Sequence, residues 1–202
     1  MPLQTQEEPT GSRNVPRKST LKKVHLTRQL EHGMSYVKLV TEKPVERFLL
    51  EFMLSQELVE SLILVSPIIG PLQGVSVSMN RLVEKINRDR IKTYVITNEP
   101  SDRHPDHSRA VAMLKSSDFT EIRFNASLHA KCYVCRYLDG GFALLGSGNL
   151  TATSIRQRIE IGMIIYSRGK GTSLFHELFA WGAVRLRTLQ ESKLIKPMTM
   201  RR

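Results

Sequence analysis

The segment from Leu128 to Leu145 narrows the fold of this chain more than any other. Two β-rich runs, Leu128 to Leu138 and Phe142 to Leu145, flank Asp139-Gly140-Gly141. Glycine adopts the positive φ that a tight hairpin turn needs, so the two runs read as antiparallel partners. Before them the rhythm is different. Val45 to Leu62 keeps Phe48, Leu49, Phe52, Met53, Leu58, Val59 and Leu62 at helical steps of three and four, and reads as one amphipathic helix. Ile63 to Ile69 reads as a buried strand ended by Gly70-Pro71, and Ser76 to Ile91 as a helix with Leu82, Val83 and Ile86 inward. Lys92 to Thr97 is a second strand. Pro100 to Pro105 is a loop, Asp106 can cap a helix running to about Ser116, and Phe119 to Phe124 alternates like a strand.

Helices alternating with strands predict an α/β domain, with helices flanking a mixed, mostly parallel sheet. After the hairpin come a short helix from Thr151, a strand from Glu160 to Tyr166, and a terminal helix from Thr172 to about Lys193 that buries Leu174, Leu178, Trp181 and Leu189. The expected organisation is a basic arm over residues 1–35, one domain over 36–193 and a basic tail over 194–202. The arm holds Pro2, Pro9, Gly11 and Pro16 with Arg13, Arg17, Lys18, Lys22 and Lys23, too few large apolar groups to offset its ordering entropy alone. No internal repeat is visible.

Charge directs attention to polyanions. Thirty Lys and Arg against 19 Asp and Glu give a net charge of +11, a field that attracts DNA or RNA and speeds their encounter. No run of 18 or more apolar residues predicts a membrane span. The polar start of the sequence is not a signal peptide, so the expected location is the cytoplasm, with no membrane partner. Two cysteines, Cys132 and Cys135, make no disulfide framework, and their three-residue offset on a strand points them to opposite faces. They read as small apolar strand residues, not a zinc half-site. His104-Pro-Asp-His107 reads as polar loop or substrate contact rather than a metal site, and Ser66-Pro67 and Asn98-Glu99, at strand ends, are positioned to line a cleft.

The chemistry concentrates at the mouth of the hairpin. His129-Ala-Lys131 enters it, and Gly146-Ser147-Gly148-Asn149 leaves it. Alternation puts His129 and Lys131 on one face, and Ser147 and Asn149 on one face of the returning strand. A histidine beside a lysine is awkward unless an anion sits between them. The set of one imidazole, one ammonium, one hydroxyl and one amide suits the non-bridging oxygens of a phosphate.

In this order the residues resemble the phospholipase D superfamily, whose signature runs His-x-Lys, an Asp, then Gly-Ser-x-Asn. The match here is His129, Lys131, Asp139, Gly146, Ser147 and Asn149, with seven residues between Lys131 and Asp139 where the family usually has four. The resemblance implies a catalytic set of His129, Lys131, Ser147 and Asn149, with Glu160 as the acidic residue that orients the histidine. It implies no metal and no cofactor. It also implies that one histidine attacks phosphorus while a second protonates the leaving oxygen. His25, His32, His104, His107 and His176 all lack the His-x-Lys pattern, so the second histidine is expected from a second copy about a two-fold axis. The resulting expectation is a metal-independent homodimeric nuclease, similar to single-motif bacterial endonucleases including those of restriction and phage-defence systems, with other defence subunits as candidate partners. The alternatives are a phospholipase or phosphatidyltransferase acting on lipid head groups, and a non-catalytic nucleic-acid-binding subunit.

Overall fold

A computed structural model describes residues 35–169 and 173–199; the basic arm lies outside the described residues but for Ser35. Eight strands form one sheet in the order β1-β7-β6-β5-β2-β3-β4-β8. They are β1 (Tyr36–Val40), β2 (Val59–Val65), β3 (Lys92–Thr97), β4 (Thr120–Phe124), β5 (Cys132–Tyr137), β6 (Gly140–Gly146), β7 (Gly162–Arg168) and β8 (Lys193–Lys196). Only β2, β3 and β4 pair in parallel; the other pairings are antiparallel. The sheet is therefore mixed but mostly antiparallel, where a mostly parallel one is expected from the sequence, because only the helix-linked first half has the crossovers that parallel pairing needs. The helices are α1 (Pro44–Leu54), α2 (Met79–Arg88), α3 (Pro105–Lys115), α4 (Ala152–Gln157) and α5 (Ser173–Ala180). The last continues through a π-helical turn, Trp181–Arg185, and a final turn, Leu186–Thr188.

Strand alternation splits the core in two. On one face Leu62, Leu64, Val95, Tyr133, Cys135, Phe142, Leu144 and Ile164 pack against side chains of α1, α2, α3 and α4. On the other, Ile63, Val65, Ile96, Cys132, Val134, Ala143 and Ile165 meet Phe175, Ala183 and Leu186 of the terminal helix. Cys132 and Cys135 accordingly face opposite ways, both buried, and burial raises both thiol pKa values, that of Cys132 to about 12. Neither is a thiolate at neutral pH.

Several boundaries differ from expectation. The helix from Val45 ends at Leu54, and residues 59–62 belong to β2. The run Val59-Glu-Ser-Leu-Ile-Leu-Val65 is buried on both sheet faces, so it shows no alternation and its apolar spacing imitates a helix. The strand then stops at Val65, before Ser66. The second helix is shorter than Ser76–Ile91. The Ser78 side chain caps its start, and Arg90 takes φ +52° just past its end, where a right-handed helix cannot continue. The third helix has His104, not Asp106, at its N-cap position. In the terminal helix Phe175 rather than Leu174 points inward, and Leu189 is exposed because the helix ends at Thr188 and Leu189 is already extended. β1 and β8, the two sheet edges, have no counterpart among the expected strands, and β8 lies across the segment read as the start of a tail.

Candidate active site

The hairpin places the predicted residues at one end of the sheet. β5 and β6 pair from Cys132↔Leu145 to Tyr137↔Gly140, and the Gly146 amide donates to the Lys131 carbonyl at 3.3 Å. His129 and Lys131 therefore precede β5 at the edge where Ser147 and Asn149 follow β6. The turn is Leu138-Asp139 rather than Asp139-Gly140-Gly141; Gly140 and Gly141 open β6 with φ of +103° and +143°, where a Cβ would run into the Ser167 and Cys135 carbonyls. Asp139 is exposed in that turn, at the opposite end of the hairpin; the intervening strand spans roughly 20 Å at about 3.3 Å per residue, so Asp139 takes no part in the cluster.

Ser147 and Glu160 meet directly. The Ser147 hydroxyl donates to Glu160 Oε2, and the Ile161 amide donates back to Ser147 Oγ at 3.1 Å. Ser154, on α4, donates to Glu160 Oε1 at 2.6 Å. Both carboxylate oxygens are thus occupied by hydroxyls, and the carboxylate holds Ser147. Gly148 allows this approach, since a Cβ there would meet Val45 Cγ2 at 3.0 Å and Ser154 Oγ at 3.3 Å. The buried Tyr133 hydroxyl donates to the Gly148 carbonyl at 2.8 Å, which ties the loop to the core.

Asn149 is fixed from another direction. Ser66, fully buried at the end of β2, donates to the Ile68 carbonyl at 2.7 Å and accepts from the Leu150 amide at 3.1 Å. Its Oγ also lies 3.5 Å from Asn149 Oδ1. Ser66 and Ser154 are supports that the motif does not include. Ser66 is legible in the sequence only as a strand-end residue; Ser154 has a weak local signal, its amide donating to the Thr151 side chain that caps α4.

His129 is exposed, and its ring has no hydrogen-bond partner among the described residues. Glu160, expected to orient it, is engaged with Ser147 and Ser154 instead. Lys131 Nζ donates to the His129 carbonyl at 2.9 Å. The imidazole borders a cleft of about 510 Å³ that also takes in Asn125, Trp181, Leu186 and Glu191, whereas Asn149 opens onto a second cleft of about 430 Å³. The candidate site therefore has a free imidazole and an ammonium on one side, and a fixed hydroxyl and amide on the other. Such a set can attack and bind a phosphate, with no fixed acid beside a leaving group.

His107 plays no such part. It is buried, its Nε2 lies 3.4 Å from Thr97 Oγ1, and burial depresses its pKa despite a backbone hydrogen bond with Asn98, so the ring is neutral at pH 7. No group of three or more His, Cys, Asp or Glu among the described residues is arranged to hold a metal ion. No described helix is long and apolar enough to cross a membrane.

The family described as "Cardiolipin synthase, PLD-like domain" matches residues 56–181, which contain the whole cluster. A search of curated proteins finds no match. Among solved structures, the phospholipase D family member Nuc from Salmonella typhimurium superposes with a TM-score of 0.59 at 14% identity, over 81% of this chain and 99% of its own. NucT from Helicobacter pylori gives 0.57 at 12%, over 80% and 99%. Phosphatidylserine synthase from Haemophilus influenzae gives 0.51 at 14% identity, over 82% of this chain and 40% of its own. These likenesses are in fold. Together with the matched family and the motif it contains, they establish that this chain belongs to the phospholipase D superfamily of phosphodiesterases.

Proposed function

We propose that the protein is a metal-independent nuclease that cuts a DNA or RNA backbone at a site shared by two copies of the chain. The observation that carries the chemistry is the gathering of His129, Lys131, Ser147 and Asn149 at one end of the β5–β6 hairpin. The His129 nitrogen attacks phosphorus, the phosphorus–oxygen bond to the leaving group breaks, and the partner's His129 gives that oxygen its proton. Water then attacks the phosphohistidine and passes its proton to the partner's imidazole. Lys131, Ser147 and Asn149 from each copy hold the charged oxygens. The lysines are the charged donors, and in-line displacement places the two imidazoles on opposite sides of phosphorus.

The net charge of +11 favours nucleic acid over lipid as the substrate, since folds similar to this one include a phosphatidylserine synthase and architecture alone does not discriminate. A lipid head-group phospholipase or phosphatidyltransferase stands as the second reading, and a non-catalytic binding subunit is disfavoured by the intact cluster.

Support for two copies comes from the sheet itself. Among the described residues, nothing covers the terminal-helix face of the sheet along β1 and β7. Val37 and Leu39 are 54% and 60% exposed, Met163 opposite Leu39 is 45% exposed, and Ile161 is exposed beside Ser147. Ile159, next to Glu160, is completely exposed. Apolar patches of this kind on soluble domains mark contact surfaces. A second copy, meeting it isologously, covers it and brings its histidine to the same place.

The test is cleavage of labelled DNA and RNA in EDTA by wild type, His129→Ala and mixed dimers. His129→Ala should lose cleavage yet keep binding, and heterodimers with wild type should be severely impaired. A fully active 23.0 kDa monomer would refute the shared site.

A further inference from the structure

The cleft onto which Asn149 opens is a different one from that bordered by His129, and its chemistry is uneven. Its walls come from three places: Ile68 to Gln73 after β2, Arg103 to His107 at the start of α3, and Thr151 to Arg158 around α4. Arg103 comes from the segment before α3 and Arg158 from the end of α4. Both are exposed, and neither guanidinium has a carboxylate or carbonyl partner among the described residues. By contrast Arg123, Arg136, Arg168 and Arg187 each sit on a glutamate, and Arg156 donates to the Gln73 carbonyl. Asp106 is the one carboxylate among the lining residues. The apolar lining comes from Ile68, Ile69, Pro71 and Pro105, of which Ile68 and Pro105 reach the surface and Ile69 and Pro71 are buried.

We infer that this cleft is a nucleotide subsite, which receives the residue of the nucleic-acid strand next to the scissile phosphate; the inference rests on the nuclease reading above. Its volume, about 430 Å³, accommodates one nucleotide. Ile68 and Pro105 offer a sugar and base an apolar contact, and the unpaired guanidinia suit the flanking phosphate, which planar arginine forks bind well. An acyl chain would need a longer apolar channel than four residues supply. Asn149 is among the lining residues, so a strand whose reacting phosphate touches that amide has its neighbouring nucleotide beside this cleft.

The experiment compares the double variant Arg103→Ala, Arg158→Ala with wild type on three substrates in EDTA: an oligonucleotide, bis(4-nitrophenyl) phosphate, and phosphatidylglycerol vesicles. Bis(4-nitrophenyl) phosphate has no flanking phosphate. The ratio of oligonucleotide KM to small-diester KM should rise at least tenfold in the double variant. The log–log salt slope of oligonucleotide binding should become shallower by about 0.7–0.9 for each phosphate that is no longer neutralised. An unchanged KM ratio with an unchanged salt slope, in a wild type that cuts oligonucleotides, overturns the subsite alone. A wild type that splits the small diester or the vesicles but no oligonucleotide overturns the nuclease reading and the subsite with it. Both arginines are exposed, so the fold should survive; a melting curve matching wild type confirms that the KM change is a binding effect, and circular dichroism with Arg103→Lys, Arg158→Lys gives a charge-preserving comparison.

Discussion

Ser66 offers the sharpest separation between chemistry and support, because it touches no substrate in the proposed mechanism and still governs Asn149. Replacing it with alanine removes an oxygen that accepts from the Leu150 amide at 3.1 Å and donates to the Ile68 carbonyl at 2.7 Å. Both Ser66 and Leu150 are fully buried, so water cannot replace the missing acceptor. An orphaned buried amide costs about 1–3 kcal/mol. For a domain of this size each kcal/mol lowers Tm by about 2–4 °C, so a fall of about 2–12 °C is expected. The catalytic consequence is larger. Leu150 follows Asn149 directly, and a shift of about 1 Å in a positioned group costs about 100-fold in rate. We expect kcat on an oligonucleotide to fall 10- to 100-fold while KM changes less than threefold. Ser66→Thr restores the hydroxyl at the cost of an added methyl, about 1–3 kcal/mol of crowding, and should recover most of kcat without recovering Tm. Thermal melting and steady-state kinetics on the three proteins decide the matter. Unchanged kcat in Ser66→Ala, with Tm lowered, would show that Asn149 is held by other interactions and refute the positioning role.

Met163→Asp puts a charge into the bare apolar face opposite Leu39; sedimentation should show the dimer dissociation constant raised at least 100-fold, with cleavage falling in proportion to dissociation. Glu121 accepts from Arg123 at 2.7 Å and from Arg187 at 2.8 and 2.7 Å; burial alone would raise its pKa, but the two guanidinia lower it. A carboxyl depressed in the folded state stabilises above its unfolded pKa of about 4.3, and that stability is lost as pH falls through the folded value. Arg187→Ala should therefore cost about 1–3 kcal/mol in urea unfolding at pH 7, and the gap from wild type should close as the titration proceeds into acid; a gap independent of pH would count against this pair.

Legibility in the sequence follows the reach of each interaction. β3 is legible to the residue, because Lys92-Thr-Tyr-Val-Ile-Thr97 lies between a helix end and a polar loop. The hairpin is legible because glycine conformation is local. β1 and β8 are not, because Tyr-Val-Lys-Leu-Val and Lys-Leu-Ile-Lys are short and half exposed, and their strand character depends on partners at 162–166 and 122–124. The same distinction runs through the site. His129, Lys131, Ser147, Asn149 and Glu160 carry a pattern within 32 residues, and the pairing of Ser147 with Glu160 gives it geometry. Ser66 lies 84 positions from Leu150, and no spacing rule connects them. Glu160 can be placed from sequence but its partners cannot: a strand-end carboxylate has several hydroxyls within reach once α4 folds back, and Ser154 is one of them.

The sheet face that the described residues leave uncovered and the single His-x-Lys histidine are two deficits of different kinds, one of packing and one of chemistry. They lie side by side, since Ile161 belongs to the bare face and its amide and carbonyl are the hydrogen-bond partners of Ser147. A surface that adjoins the reacting cluster and pairs with itself about a two-fold axis removes both deficits at once, without further sequence. An interface remote from the cluster would bury the apolar side chains and leave the histidines apart. In the proposed dimer, then, burial of Leu39, Ile161 and Met163 and delivery of the second imidazole are one event. Specific activity should accordingly rise with protein concentration through the dimer dissociation constant and level off, and Tm should begin its logarithmic rise over the same concentrations, because mass action on one association controls both.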